Sequence, residues 1–251
     1  MMGVEDASAA GRFIDGPRRG LLLLCDHASN RIPAELGDLG LSPNERAQHI
    51  AWDPGAADVA DALRQRLECP AFFGGWSRLV VDLNRAPDAG DLILCENDGI
   101  MVHGNLPLSD AERLRRIEQY HRPYHLAIQA HLLQLEQEGV LPAVVSIHTF
   151  TPALAGQHRP WSVGVLWKQY EPWLPDLLGS LRDQGLELGD NQPYDGRAAL
   201  GHTLETHALA RGLRHVLFEL RQDLLREPDD CAVWASRLIK ALRRAGFPVD
   251  P

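Results

Sequence analysis

Apolar and polar positions along the chain fall into short runs that alternate between two periods. Leu21-Leu-Leu-Leu-Cys25 is a continuous apolar run of strand length, the pattern of a central strand covered on both faces. Ser42-Pro43-Asn44-Glu45 combines an N-cap, a first-turn proline and a capping-box glutamate, so a helix starts there. A second helix follows Asp53-Pro54, with Val59, Leu63 and Leu67 on one face. Short strands are expected at Ala71–Phe73 and at Arg78–Val81. Ser109-Asp-Ala-Glu112 opens a long helical region to Glu138, interrupted at Pro123 and stopped by Gly139. Ala143–Ile147, Trp161–Trp167 and His215–Leu220 read as further strands. Leu174–Leu181, His202–Ala210 and Asp229–Arg244 read as helices.

Strands alternating with helices in this way predict an α/β fold with a largely parallel sheet covered on both faces. Residues 1–16 carry no such pattern and are expected to be a flexible N-terminal tail, leaving 17–251 as a single domain. Between Ala86 and Pro107 lies a Gly- and Asp-rich stretch with little periodicity, a candidate cover for a site.

Composition narrows the function. The chain has 251 residues and a formal net charge of -9, from 25 Lys plus Arg against 34 Asp plus Glu. That balance argues against a nucleic acid or an anionic membrane bound through a basic face, but not against a small anion. No apolar run reaches the roughly 20 residues of a membrane span. The first residues lack a basic region followed by an apolar one, so no secretory signal is expected and a cytoplasmic location is. The four cysteines make no C-x-x-C pair, which speaks for reduced thiols. Cys25, at the end of the leucine run, reads as a buried strand residue rather than a nucleophile.

Open α/β sheets bind ligands beyond the carboxyl ends of their strands. Four strands end in polar groups: Asp26 and His27; Asp82, Asn84 and Arg85; His148; Glu219 and Arg221. Imidazoles, carboxylates and arginines together are the inventory of a metal-dependent hydrolase, although no H-E-x-x-H is present. Taken singly, each residue has a structural alternative: His27 as a core histidine, Asp82 as an ion-pair partner of Arg78 or Arg85, Arg221 paired with Asp223. His121 and His125 stand at i, i+4 spacing with Pro123 between them; His125 is the better pocket candidate and His121 reads as solvated or supporting.

In order along the chain, Cys25-Asp-His-Ala-Ser-Asn-Arg-Ile-Pro33, Ala51-Trp-Asp-Pro-Gly-Ala56, Ser77-Arg-Leu-Val-Val-Asp-Leu-Asn-Arg85, Tyr120-His-Arg-Pro-Tyr-His125, Ser146-Ile-His-Thr-Phe150 and Phe218-Glu-Leu-Arg-Gln-Asp-Leu224 resemble the successive motifs of the N-formylglutamate amidohydrolase family. The resemblance implies a three-layer α/β/α, mostly parallel mixed sheet of the phosphorylase/hydrolase-like, zinc-carboxypeptidase-like kind. It implies a cofactor, zinc or another divalent transition metal, and hydrolysis of N-formyl-L-glutamate, or a close acidic N-acyl amino acid, to formate and glutamate, the last step of one histidine-degradation route. It also implies His27 and His148 as metal ligands. Asp53 is favoured as the third over Asn30, whose neutral amide is a poor zinc ligand. Glu219 is implied as general base and acid, and Arg78, Asn84, Arg85 and Arg221 as substrate-carboxylate partners, with Asn30, Asp82 and His125 as pocket or supporting residues. Two alternatives stay open: a metallo-amidase or carboxypeptidase acting on a peptide-like substrate, and a non-catalytic small-anion binder on the same fold.

Overall fold

A computed structural model describes residues 11–250. Seven strands form the main sheet: β1 (Arg12–Ile14), β2 (Leu21–Cys25), β3 (Ala71–Phe73), β6 (Ala143–Phe150), β9 (Val163–Leu166), β10 (Leu188–Asp190) and β11 (His215–Arg221). Two small hairpins stand apart, β4 (Glu96–Asn97) with β5 (Ile100–Met101), and β7 (Ala153–Leu154) with β8 (Gln157–His158). The helices are α1 (Pro43–Arg46), α2 (Ala56–Leu67), α3 (Asp110–Arg116), α4 (Arg122–Gln137), α5 (Leu174–Arg182), α6 (His202–His207) and α7 (Pro228–Arg244).

The sheet order is β1-β3-β2-β6-β11-β9-β10. β3, β2, β6 and β11 run parallel, β9 lies antiparallel to β11, and β10 is parallel to β9. The carboxyl ends of the central strands therefore share one edge.

Alternation along the strands sorts the core into two layers. Leu21, Leu23, Cys25, Val145, Ile147, Val216, Phe218 and Leu220 pack against α2, α5 and α7 through residues such as Leu63, Leu177 and Leu238. Leu22, Leu24, Val144 and Leu217 face α4 and α6 through Tyr124, Ile128, Leu132 and Leu204. This is the three-layer α/β/α arrangement expected from the sequence. By the same alternation His148 and Glu219 point to the α4/α6 side, at the end of the sheet where the helices leave room.

Two segments depart from the sequence-based reading. Within the expected tail, Arg12–Ile14 form the edge strand β1, antiparallel to β3, with Phe13 stacked on Phe72; residues 1–10 lie outside the described residues. The expected strand Arg78–Val81 is a turn instead. The Ser77 hydroxyl accepts from Leu79 N at 3.2 Å and Val80 N donates to Ser77 O at 2.9 Å. Its apolar residues are buried all the same, in a third cluster with Leu39, Ile50, Leu92 and Val102. An apolar run of this length does not distinguish a covered strand from a covered turn.

That third cluster anchors the 86–107 stretch. Fully buried Arg116 donates to Glu112, to Val80 O and to Asn105 Oδ1, and Asn105 in turn donates to Leu79 O and Leu94 O. The cover is thereby tied to the turn that carries Arg78. Among the described residues no helix is long and apolar enough to cross a membrane.

Candidate active site

A cavity of about 710 Å³ opens at the carboxyl edge of the sheet, within the range of small-molecule sites. Its floor is made by His27, Asp53, Arg78, Asp82, His148 and Glu219. One wall comes from Asn84 to Asn97 and the other from Tyr194 to Glu205.

The floor is assembled by short, well-determined pieces of backbone. His27 follows β2 by two residues, and its carbonyl accepts from Asp53 N at 3.0 Å, which places Asp53 ahead of α2. His148 lies on β6 directly opposite Glu219 of β11, whose other neighbour in register is Gly164 of β9. A Cβ on Gly164 would sit 2.0 Å from Gln192 O, so only glycine lets that loop close beside Glu219.

Asp53 is the hub. Its Oδ2 lies 2.9 Å from His148 Nδ1 and 3.3 Å from His27 Nδ1, and accepts from Thr149 N; Oδ1 accepts from Arg78 Nη1. The opposite nitrogens of both rings face carboxylates: His27 Nε2 is 2.7 Å from Asp82 Oδ1 and His148 Nε2 is 3.4 Å from Asp26 Oδ2. Asp26 is fixed by the Tyr124 hydroxyl at 2.8 Å, and Asp82 by Arg78 Nε and Asn84 N. Arg78 Nη2 also lies 2.9 Å from His27 Nδ1.

Burial governs the charges. It opposes the ionised forms of Asp53, Asp82 and Asp26, yet the neighbouring histidines, and Arg78 for the first two, outweigh it and hold all three below the ordinary aspartate range. His27 is raised because Asp82 and Asp53 overcome burial and the Arg78 charge. His148 is raised to about 10: burial works against its charged form, but bonds to Asp26 and Asp53 prevail. Glu219 goes the other way, pushed up to about 7 by burial, with Asp53 adding to the effect and His148 and Arg78 opposing it; its Oε2 is buried without a hydrogen-bond partner.

On the cavity floor, His27, Asp53 and His148 form a group that could hold a metal ion, each offering one ligand atom within 4.8 Å of the others. Ligands about 2.05 Å from a tetrahedral centre stand about 3.3 Å apart, close to the 2.9 and 3.3 Å separations from Asp53. Carboxylates behind the opposite ring nitrogens are what orient metal-binding imidazoles. The donor set therefore fits zinc or a similar divalent ion. Changing Asp82 to Asn is expected to weaken zinc affinity about 10- to 100-fold, measured by equilibrium dialysis; unchanged affinity would mean that Asp82 serves Arg78 alone.

Other residues singled out from the sequence are placed less uniformly. Asn84 lines the cavity, and its Oδ1 accepts from Thr203 N at the start of α6; Gly201, at φ 103°, is needed because a Cβ there would strike the Asn84 amide. Arg85 lines the mouth, its side chain 41% exposed and bridged to Asp91. Asn30 stands apart from the metal group, donating to Arg46 O. Arg221 does not line the cavity: it is tied to Asp223 and to Pro160 O, the pairing that the sequence left as its structural alternative. Nor does His125, half-buried behind the Leu83–Arg85 backbone, while His121 is buried rather than solvated. Cys25 is buried with its thiol pKa raised well above normal, which makes it inert. Missing from the sequence reading are the orienting roles of Asp26 and Tyr124, and the wall residues His49, Tyr194, His202 and Glu205, which carry no distinctive spacing.

A mixed α/β/α sheet thus carries a His/Asp/His group and a buried carboxylic acid at its carboxyl edge, an inventory suited to hydrolysis of amide bonds. The N-formylglutamate amidohydrolase family model matches residues 19–226. The chain belongs to that family. A crystal structure of a gene product from Agrobacterium tumefaciens superposes with TM-score 0.87 at 32% identity, covering 91% of this chain and 90% of that one. The N-formylglutamate amidohydrolase of Ralstonia eutropha shares the fold, with TM-score 0.66 at 19% identity over 93% and 96% of the two chains. No curated protein matches the chain.

Proposed function

We propose that the chain is a metal-dependent amidohydrolase that cleaves N-formyl-L-glutamate, or a close acidic N-acyl amino acid, releasing formate and the amino acid. The observation that carries this reading is the pair of imidazoles presenting Nδ1 to one Asp53 oxygen, each backed by a carboxylate, beside a buried glutamate whose Oε2 has no hydrogen-bond partner among the described residues. A divalent ion held by His27, Asp53 and His148 would supply Lewis acidity and bring the pKa of water to about 7.

The chain's own groups do the rest. Glu219 takes a proton from the attacking water as its oxygen bonds the formyl carbon. It then delivers a proton to the departing nitrogen as the C–N bond breaks. In the metal-free chain burial raises its pKa to about 7, which favours a carboxyl group able to hold and release a proton. Arg78 is shared between Asp53 and Asp82, which leaves it poorly placed to clamp a second carboxylate and well placed to meet negative charge developing at the acyl oxygen.

Arg85 is the substrate-carboxylate partner: among the described residues its one ion pair is with exposed Asp91, and such a surface bridge is weak enough to yield to a substrate. Its planar fork meets a carboxylate in two parallel bonds. Arg85→Lys is expected to raise KM about tenfold, the loss of roughly 1.4 kcal/mol, with kcat little changed; an unaltered KM in steady-state assays would remove Arg85 from this role. Free cysteines, three of them buried, support a reducing, cytoplasmic setting.

The deciding experiment is formate release by zinc-loaded protein from N-formyl derivatives of Glu, Asp and Gln, alongside acetate release from N-acetyl-Glu. N-formyl-Glu should be turned over fastest. No release from any of the four would overturn the reading.

A further inference from the structure

Behind the Leu83–Arg85 backbone lies a second gathering of imidazoles: His121, His125, His202 and His207. His121 ends a π-helical turn, Ile117–His121, that joins α3 to α4, and Pro123 falls in the first turn of α4, where a missing N–H costs nothing. The two histidines thus share a face. Ring centroids are 4.3 Å apart for His121 and His125, 4.9 Å for His125 and His202, and 5.6 Å for His121 and His202.

The hydrogen bonds assign the protons. His121 Nε2 lies 2.9 Å from Arg85 O and His125 Nε2 lies 2.9 Å from Leu83 O. A carbonyl only accepts, so both rings carry their proton on Nε2 and present a lone pair at Nδ1. His125 Nδ1 receives the Nε2–H of His207 at 2.8 Å, whereas His121 Nδ1 has no hydrogen-bond partner among the described residues. His202, half-buried in the cavity wall, turns Nδ1 toward the Thr206 hydroxyl and leaves Nε2 open. No carboxylate among the described residues bonds any of the four rings. Burial keeps all four below the usual histidine range, His125 at about 3 and His207 at about 4, so they are neutral at pH 7.

We propose that His121, His125 and His202 form a second transition-metal site, distinct from the His27/Asp53/His148 group. One ring nitrogen of each lies within 4.8 Å of the others. Three neutral imidazoles with no thiolate or carboxylate suit zinc, nickel or copper rather than calcium or magnesium. The backbone carbonyls behind His121 and His125 fix their orientation as outer partners of metal-binding imidazoles do. His207 occupies the His125 lone pair in the absence of the ion and gives it up when the ion binds. Through His202 the ion would reach the wall of the main cavity.

The test is a count. Protein stripped with a chelator is dialysed against zinc chloride, and zinc per chain is measured by mass spectrometry. The wild-type protein is expected to hold two ions. His202→Ala, at a half-buried position, and His121→Gln, which keeps a polar group, should each hold one, and His148→Ala should lose the other. Melting temperatures report whether each variant is folded. A single wild-type ion that is kept in His148→Ala and lost in His202→Ala would support this site and overturn the first. A single wild-type ion that survives His202→Ala, or two that survive both His202→Ala and His121→Gln, would overturn the second site.

Discussion

Glu219→Gln is expected to reduce kcat by about 10²- to 10⁴-fold, the contribution of a positioned acid–base group, while zinc content stays at the wild-type value. The reasoning starts from burial. Glu219 is 7% exposed, its Oε2 has no hydrogen-bond partner, and desolvation raises its pKa to about 7. A carboxylic acid in that state gives up and regains a proton near neutrality, and an amide of the same shape does neither. Glutamine removes a buried ionisable group without opening a cavity, so the fold and the neighbouring His27/Asp53/His148 group should persist. KM should move little, because the loss falls on the chemical step rather than on binding. Steady-state kinetics with metal analysis on the same preparation checks both halves. A kcat within about threefold of wild type would remove Glu219 from proton transfer.

What the sequence made visible, and what it hid, follows from burial. Leu21–Cys25 and Ala143–Ile147 are covered on both faces, so they read as unbroken apolar runs and their polar ends pointed to His27 and His148. Leu79-Val-Val81 is equally buried but in a cluster outside the sheet, and the same rule misassigned it. The edge strands β1 and β10 are three residues each, too short for a period to register. Asp53 was legible through family resemblance, whereas the carboxylate behind His148 was not: Asp26 sits beside His27 in sequence but serves the other imidazole. The cavity wall from Tyr194 to Glu205 depends on close approaches such as Gly201 against Asn84, which local sequence does not report. Arg221 shows the converse, a charge that motif order placed in the site and a neighbouring aspartate two residues away took out of it.

Asp53→Ala is expected to abolish stoichiometric zinc binding, lowering affinity by well over the roughly 10²-fold that loss of an orienting partner brings, and to abolish activity with it. One carboxylate here meets both imidazoles, the Arg78 guanidinium and the Thr149 amide, all buried or nearly so. Removing it from the metal-free protein leaves that positive charge with Asp82, Asp26 and Glu219 to answer it. Breaking a buried pair from one side costs about 3–5 kcal/mol, so the variant should also melt at a lower temperature. Asp53→Asn separates the two effects: the amide keeps the volume and some hydrogen bonds, so it should restore much of the melting temperature without restoring zinc. Asn30→Ala supplies the contrast. Asn30 donates only to Arg46 O among the described residues, and its loss should leave the zinc count unchanged. Zinc retained by Asp53→Ala and lost by Asn30→Ala would transfer the third ligand to Asn30 and require a rearrangement of the loop that carries it.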